Sequence, residues 1–142
     1  MKVSEIMTRD VCLAKPDEPI RRAAEMMEKM DVGSLPVTDG DRLVGIVTDR
    51  DIVVRGLAHG LDAESPVREV MTKDIKYCYE DDDVDDVARN MADLEVRRLP
   101  VVNRDKRLVG FVSLANFAHS NEQDASERLL KGVARPHDSM RH

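Results

Sequence analysis

The sequence predicts an α/β fold (α+β in how its helices and strands segregate) made of two tandem β-α-β-β-α units, packed as one pseudo-symmetric module. Three observations carry that expectation. Residues 3–10 (VSEIMTRD) return 64 positions later as residues 67–74 (VREVMTKD). Leu35-Pro36-Val37 returns at the same spacing as Leu99-Pro100-Val101, and Arg42-Leu43-Val44-Gly45 returns 65 positions on as Arg107-Leu108-Val109-Gly110, one residue having been inserted in the turn. Finally, hydrophobic residues make up 42% of the 142 and aromatic residues only 3%, so any core is aliphatic.

Each element follows from local pattern. A short extended segment is expected around residues 11–13. A helix is expected over about 19–30, because Ile20, Ala23, Ala24, Met27 and Met30 fall on one face and Pro19 suits a first helical turn. Val84, Val87, Ala88, Met91 and Leu94 repeat that stripe in the second copy. Strands are expected at 35–38 and 43–47, joined by the Asp39-Gly40-Asp41 turn, with a helix from about 49 to 57. The first unit is read as residues 1–60, a Gly/Asp/Ser/Pro-containing linker as 61–66 and the second unit as 67–119. Residues 120–142 are read as a last helix from about Glu122 and a disordered tail.

Composition narrows the function. The formal charge of −6 disfavours nucleic acid, whose phosphates need clustered Lys and Arg. No apolar run is long enough for a membrane span and the start lacks a signal peptide's apolar core, so a cytoplasmic chain with no membrane role is expected. Cys12 and Cys78 form no CxxC pair, and His59, His119, His137 and His142 have no ligand spacing, so no metal is expected. The acidic run 80–86 lacks the glycine and downstream glutamate of a calcium loop; it sits at a helix start, where carboxylates complement the dipole.

The segment Gly45-Ile46-Val47-Thr48-Asp49-Arg50-Asp51 is the most informative. It runs from an apolar strand into a helix start, where free backbone N–H groups favour phosphate. The Thr48 hydroxyl can add a donor, and the Asp51 carboxylate can accept both hydroxyls of a ribose. Equally, Thr48 can simply cap the helix and Asp51 complement its dipole.

The doubled unit, with IMT, LPV and LVGIVTDRD, resembles a tandem pair of CBS (cystathionine-β-synthase) domains over roughly residues 3–118. The resemblance implies a stand-alone, bacterial-type regulatory module that binds an adenosine nucleotide as a ligand, with no catalytic domain and no required cofactor. It also implies a homodimer formed through the helices and an unknown regulated protein. GIVTDRD fits the family's nucleotide motif in full. Thr48 is then expected on phosphate or ribose, Asp51 on the ribose, and Arg50 as a compensating cation. Thr8, Cys12, Val32, Gly33, Ser34 and Pro36 are expected to line the adenine pocket, with Ile46 against the base. Thr72, Arg97, Arg98, Phe111, Ser113 and Asn116 form the corresponding second site. There Asn116 replaces the aspartate and grips ribose less well, while Arg97 and Arg98 either block adenine or reach toward phosphates. Asp31 and Glu95, five residues before Pro36 and Pro100, disfavour a polyphosphate if they face the site. AMP is the leading expectation; ATP, NAD and S-adenosylmethionine are also possible. The alternatives are a structural or interaction dimer without a functional ligand and a nucleotide-processing enzyme. The enzyme lacks support, because no Ser/His/Asp set, Cys/His pair or P-loop is present.

Overall fold

The computed structural model describes residues 1–118; the helix and tail expected over 120–142 lie outside the described residues. Two compact units form, and their boundaries do not follow the repeats. Among the described residues, one unit holds 12–75 and the other joins 1–11 to 76–118. Each copy therefore gives its opening segment, the VSEIMT or VREVMT block, to the other copy's strands.

In the unit of residues 12–75, α1 (Ile20–Met30) is followed by β1 (Ser34–Asp39) and β2 (Arg42–Thr48). The two strands pair antiparallel, Ser34 opposite Thr48 and Pro36 opposite Ile46, with a register shift after Val37. Gly40 makes the turn at φ 66°, a conformation glycine adopts without a Cβ clash. The segment expected to be extended near residue 13 is reduced to a bridge, Ala14 pairing parallel with Val37. Ile20, Ala23 and Met27 of α1 bury against Leu35, Val37 and Val47, and Val67, Val70 and Met71 complete the core. Two positions of the expected stripe do not join it: Ala24 is exposed, and Met30 is 49% exposed at the helix end.

After β2 the chain turns through α2 (Asp49–Asp51), a π-helical turn (Ile52–Gly56) and a 3-10 turn (Leu57–His59). Ile52, Val53 and Val54 are β-branched and form helix poorly, and the widened turn sets Gly56 against Val70 and Ile20. The expected linker is ordered on α1: Ile20 and Arg21 donate their N–H groups to Ser65 and Ala63.

The other unit repeats this plan with β3 (Cys78–Tyr79), α3 (Val84–Leu94), β4 (Arg98–Val102), β5 (Leu108–Ser113) and α4 (Leu114–Ala118). Here β3 pairs parallel with β4, and β4 pairs antiparallel with β5. Val84, Val87, Ala88 and Met91 bury with Leu99, Val101, Val112 and Phe117, and Val3 and Met7 close the core; Leu94, expected on the stripe, is 40% exposed. The residue inserted in the turn is held by Asn103, whose side chain accepts from the Asp105 and Arg107 amides, with Lys106 at φ 63°.

The acidic run is structural, as its position at a helix start suggests. Asp83 caps α3 through the Asp85 amide, Asp82 accepts from the Tyr79 amide, and Asp81 and Asp86 pair with Arg104 and Arg89. Among the described residues no group of three potential ligands could hold a metal ion, and no helix is long and apolar enough to cross a membrane.

Candidate functional site

Both nucleotide-type motifs end a β-strand whose glycine lets another backbone cross it. A Cβ on Gly45 would lie 2.9 Å from the Thr72 carbonyl oxygen, and one on Gly110 would lie 2.5 Å from that of Thr8. The crossing segments are fixed by paired backbone bonds: Ile46 with Thr72 at 2.9 and 2.7 Å, and Phe111 with Thr8 at 2.9 Å both ways. This close approach carries a threonine hydroxyl to each motif.

At the first motif, Thr48 and Asp51 form a reciprocal cap. The Asp51 N–H donates to Thr48 Oγ1 at 2.9 Å, and the Thr48 N–H donates to Asp51 Oδ2 at 3.1 Å. The Thr72 hydroxyl donates to the same carboxylate, 3.3 Å from Oδ2 and 3.5 Å from Oδ1. Arg55, one turn on, stands 3.8 Å from Oδ1 and donates to the Met71 carbonyl at 3.3 Å. The Asp51 side chain is only 12% exposed. A carboxylate offers about four acceptor directions, so Oδ1 retains capacity toward a ligand. Because Thr48 Oγ1 accepts from the Asp51 amide, its own proton remains available to an incoming oxygen.

The expectation of free N–H groups awaiting phosphate is not met. Asp49 N–H goes to the Gly33 carbonyl, Arg50 N–H to the Asp49 carboxylate and Asp51 N–H to Thr48. Two side-chain donors here can still meet an anion: the Thr48 hydroxyl and the Arg50 guanidinium, which is exposed and has no ion pair among the described residues.

The same unit holds most residues expected in the first site. Ser34 faces Thr48 across the strands and Gly33 packs on Asp49, leaving little room for a side chain: a Cβ would be 3.2 Å from Oδ2. Pro36 faces Ile46, and Cys12 and Val32 pack half-buried on the core. Cys12 also lines a cavity of about 240 Å³ with Arg22, Glu25, Met26, Lys29 and Met30. Thr8, expected in the first site, is the exception. It belongs to the other unit, where it pairs with Phe111, and Thr72, expected in the second site, takes the corresponding place beside Asp51. Sequence alone does not reveal this exchange, because the MT dipeptides at 7–8 and 71–72 are identical. Arg55 is not among the residues expected from the sequence, where its only signal is an arginine one helical turn after the aspartate.

At the second motif the groups differ in chemistry. Asn116 Oδ1 accepts from the Ser113 N–H at 2.8 Å and the Ser113 hydroxyl at 3.0 Å. Its Nδ2 donates to the Ile6 carbonyl at 2.8 Å and to Thr8 Oγ1 at 3.1 Å. Arg98, at the position Ser34 holds in the first copy, faces Ser113 and lies 4.3 Å over the Phe111 ring; burial pushes its guanidinium below the ordinary value. Arg97 is exposed. Asp31 and Glu95 are left-handed helix caps at φ 54° and 55°, each closing its helix through its own N–H.

The family model described as CBS domain matches residues 3–57 and 67–120. Hypoxic response protein 1 of Mycobacterium tuberculosis is 35% identical over 134 residues, 93% of this chain and 93% of its own length. A crystal structure of Hypoxic Response Protein I with two coordinated zinc ions is similar at TM-score 0.74 and 36% identity, over 84% of this chain and 99% of that one. CBSX2 in complex with AMP is similar at TM-score 0.73 and 27% identity, over 87% and 97% of the two chains. The CBS domain pair of MJ0100, in complex with 5-methylthioadenosine and S-adenosyl-L-methionine, is similar at TM-score 0.69 and 30% identity, over 83% and 93%.

Proposed function

The chain belongs to the CBS domain family, and we propose that it is a regulatory sensor whose first motif binds the ribose of an adenosine-containing ligand. The observation that carries this reading is the Asp51 carboxylate, nearly buried, oriented by Thr48 and Thr72, and with acceptor capacity still open on Oδ1. Two vicinal hydroxyls donating to one fixed carboxylate distinguish a ribose from a deoxyribose or a simple phosphate. Thr48 and Arg50 supply the remaining polar contacts, and the base is placed against Ile46. AMP is the first candidate, because one hydroxyl and one guanidinium match a single phosphate better than a triphosphate. The AMP and S-adenosyl-L-methionine complexes of the similar proteins support an adenosyl ligand.

A ligand acts here by preferring one arrangement of the protein over another, not by being converted. Pairing of two copies through helices is supported by Val53, Val54 and Leu57, which are 55, 42 and 65% exposed beside an apolar cavity lined by Ile20, Ala24, Ile52 and Leu61. Leu57→Asp is expected to halve the mass seen by light scattering.

The test is a thermal-shift and calorimetric titration with AMP, ADP, ATP, NAD and S-adenosylmethionine. A true ligand at a hundred times its Kd stabilises the fold by about 2.7 kcal/mol. A shift with at least one of these, lost in Asp51→Ala, supports the reading. No shift with any, or one untouched by Asp51→Ala, leaves the purely structural dimer; turnover of a nucleotide by pure protein supports an enzyme instead.

A further inference from the structure

Asn116 stands where the first motif has Asp51, and the two side chains are held by matching neighbours. Ser113 N–H donates to the Asn116 oxygen as Thr48 N–H donates to Asp51 Oδ2, and Thr8 stands against Asn116 as Thr72 stands against Asp51. The orientation of the amide is fixed by two backbone groups. Ser113 N–H can only donate, so Oδ1 faces it; the Ile6 carbonyl can only accept, so Nδ2 faces that. With Ser113 Oγ–H and Thr8 Oγ1 added, both acceptor directions and both N–H donors of the amide are in use. The Ser113 proton is engaged as well, whereas the Thr48 proton is not.

We propose that Asn116 is the residue that decides what the second motif does: it clasps the chain's opening segment at Ile6 and Thr8 and thereby closes that motif to a ribose. An Asp at this position cannot donate to the Ile6 carbonyl. The Thr8 hydroxyl, which accepts from the amide, has a proton to give a carboxylate, as Thr72 gives its own to Asp51. Asn116→Asp therefore exchanges the clasp for the first motif's acceptor arrangement. In the unit of residues 12–75 it is Arg55 that holds a carbonyl of the crossing segment, donating to Met71 while standing 3.8 Å from Asp51 Oδ1. In the sequence, the position that corresponds to Arg55 in the second copy is Ser120. The ribose part of this inference rests on the function proposed above; the clasp does not.

Two measurements on the full chain separate them. Amide hydrogen exchange of Thr8, which bonds to the Phe111 carbonyl, reads the clasp without a ligand. Asn116→Ala is expected to speed it about tenfold or more, the effect of losing two hydrogen bonds, with Asp51→Ala leaving it unchanged. Thr8 exchange within twofold of wild type in Asn116→Ala overturns the clasp. Calorimetry with AMP reads the ribose site: one ligand per chain in wild type and two in Asn116→Asp, whose folding is checked by circular dichroism. A folded Asn116→Asp that still binds one overturns the assignment of specificity to Asn116. A wild type that binds no AMP counts against the proposed function and leaves the exchange result to decide the clasp.

Discussion

The Thr72 hydroxyl donates to the Asp51 carboxylate from a backbone segment 21 residues further along the chain, held there by its own two bonds to Ile46. The aspartate is thus oriented by a neighbour that folding brings in rather than by its own helix alone. Thr72→Val removes that donor but leaves Thr48 and Arg55. Affinity for AMP is expected to fall about fivefold, the effect of one hydrogen bond of about 1 kcal/mol, with unfolding stability little changed. Calorimetry beside urea denaturation separates the two quantities.

Gly45 and Gly110 are required by close backbone crossings and not by turn geometry. Alanine at either position forces a carbonyl oxygen away, by more at Gly110, where the Cβ would sit 2.5 Å from the Thr8 oxygen. Each substitution is expected to destabilise by about 1–3 kcal/mol, Gly110→Ala the more, as measured by urea unfolding. Gly40→Ala meets no neighbour within 4 Å and is expected to show only the strain of its positive φ.

The two cysteines differ in reactivity. Burial, with Asp82 adding to it, pushes the Cys78 thiol up to about 12 from an ordinary 9.0. A thiol reagent at pH 8 is expected to label Cys12 in the folded protein and Cys78 only after unfolding. The same shift has a stability sign. Above about pH 9 the unfolded chain loses the Cys78 proton while the folded chain keeps it, so stability falls as pH rises through that range. The slope approaches about 1.4 kcal/mol per pH unit for this group, and Cys78→Ala removes it from the pH profile.

Asp31 ends α1 with φ 54° and puts a carboxylate at the negative end of the helix dipole. Asp31→Gly relieves both effects. It is expected to stabilise by about 1 kcal/mol, raising the thermal midpoint without altering ligand affinity. A changed affinity would show instead that this carboxylate acts on the ligand.

The repeated helices and strands are legible in the sequence, because helix periodicity and the spaced VxEhMT, LPV and RLVG blocks encode them directly. Which opening segment serves which sheet is not. Val3 and Val67, Met7 and Met71, and Thr8 and Thr72 are identical pairs, and either pairing satisfies the same local rules. Only the fold sets Thr72 beside Asp51 and Thr8 beside Asn116. Met30 shares the periodicity of the α1 stripe yet lies exposed, because periodicity does not register where a neighbouring surface ends, and the π-turn at Ile52–Gly56 leaves no periodic signature over so few residues. At the site, the chemical types were readable but their occupancy was not. Thr48 is the helix cap and a free hydroxyl proton at once, and the N–H groups beside it are engaged by Gly33 and Asp49.

The central claim is that Asp51 receives the ribose of an adenosyl ligand. Calorimetric titration of AMP into wild type and Asp51→Ala tests it most directly, with 2′-deoxy-AMP as the matched comparison. The account predicts saturable binding to wild type, weaker by about tenfold or more for the deoxy compound and roughly a hundredfold for Asp51→Ala, from hydrogen bonds to a charged group. Equal affinity of AMP for wild type and a folded Asp51→Ala would contradict it.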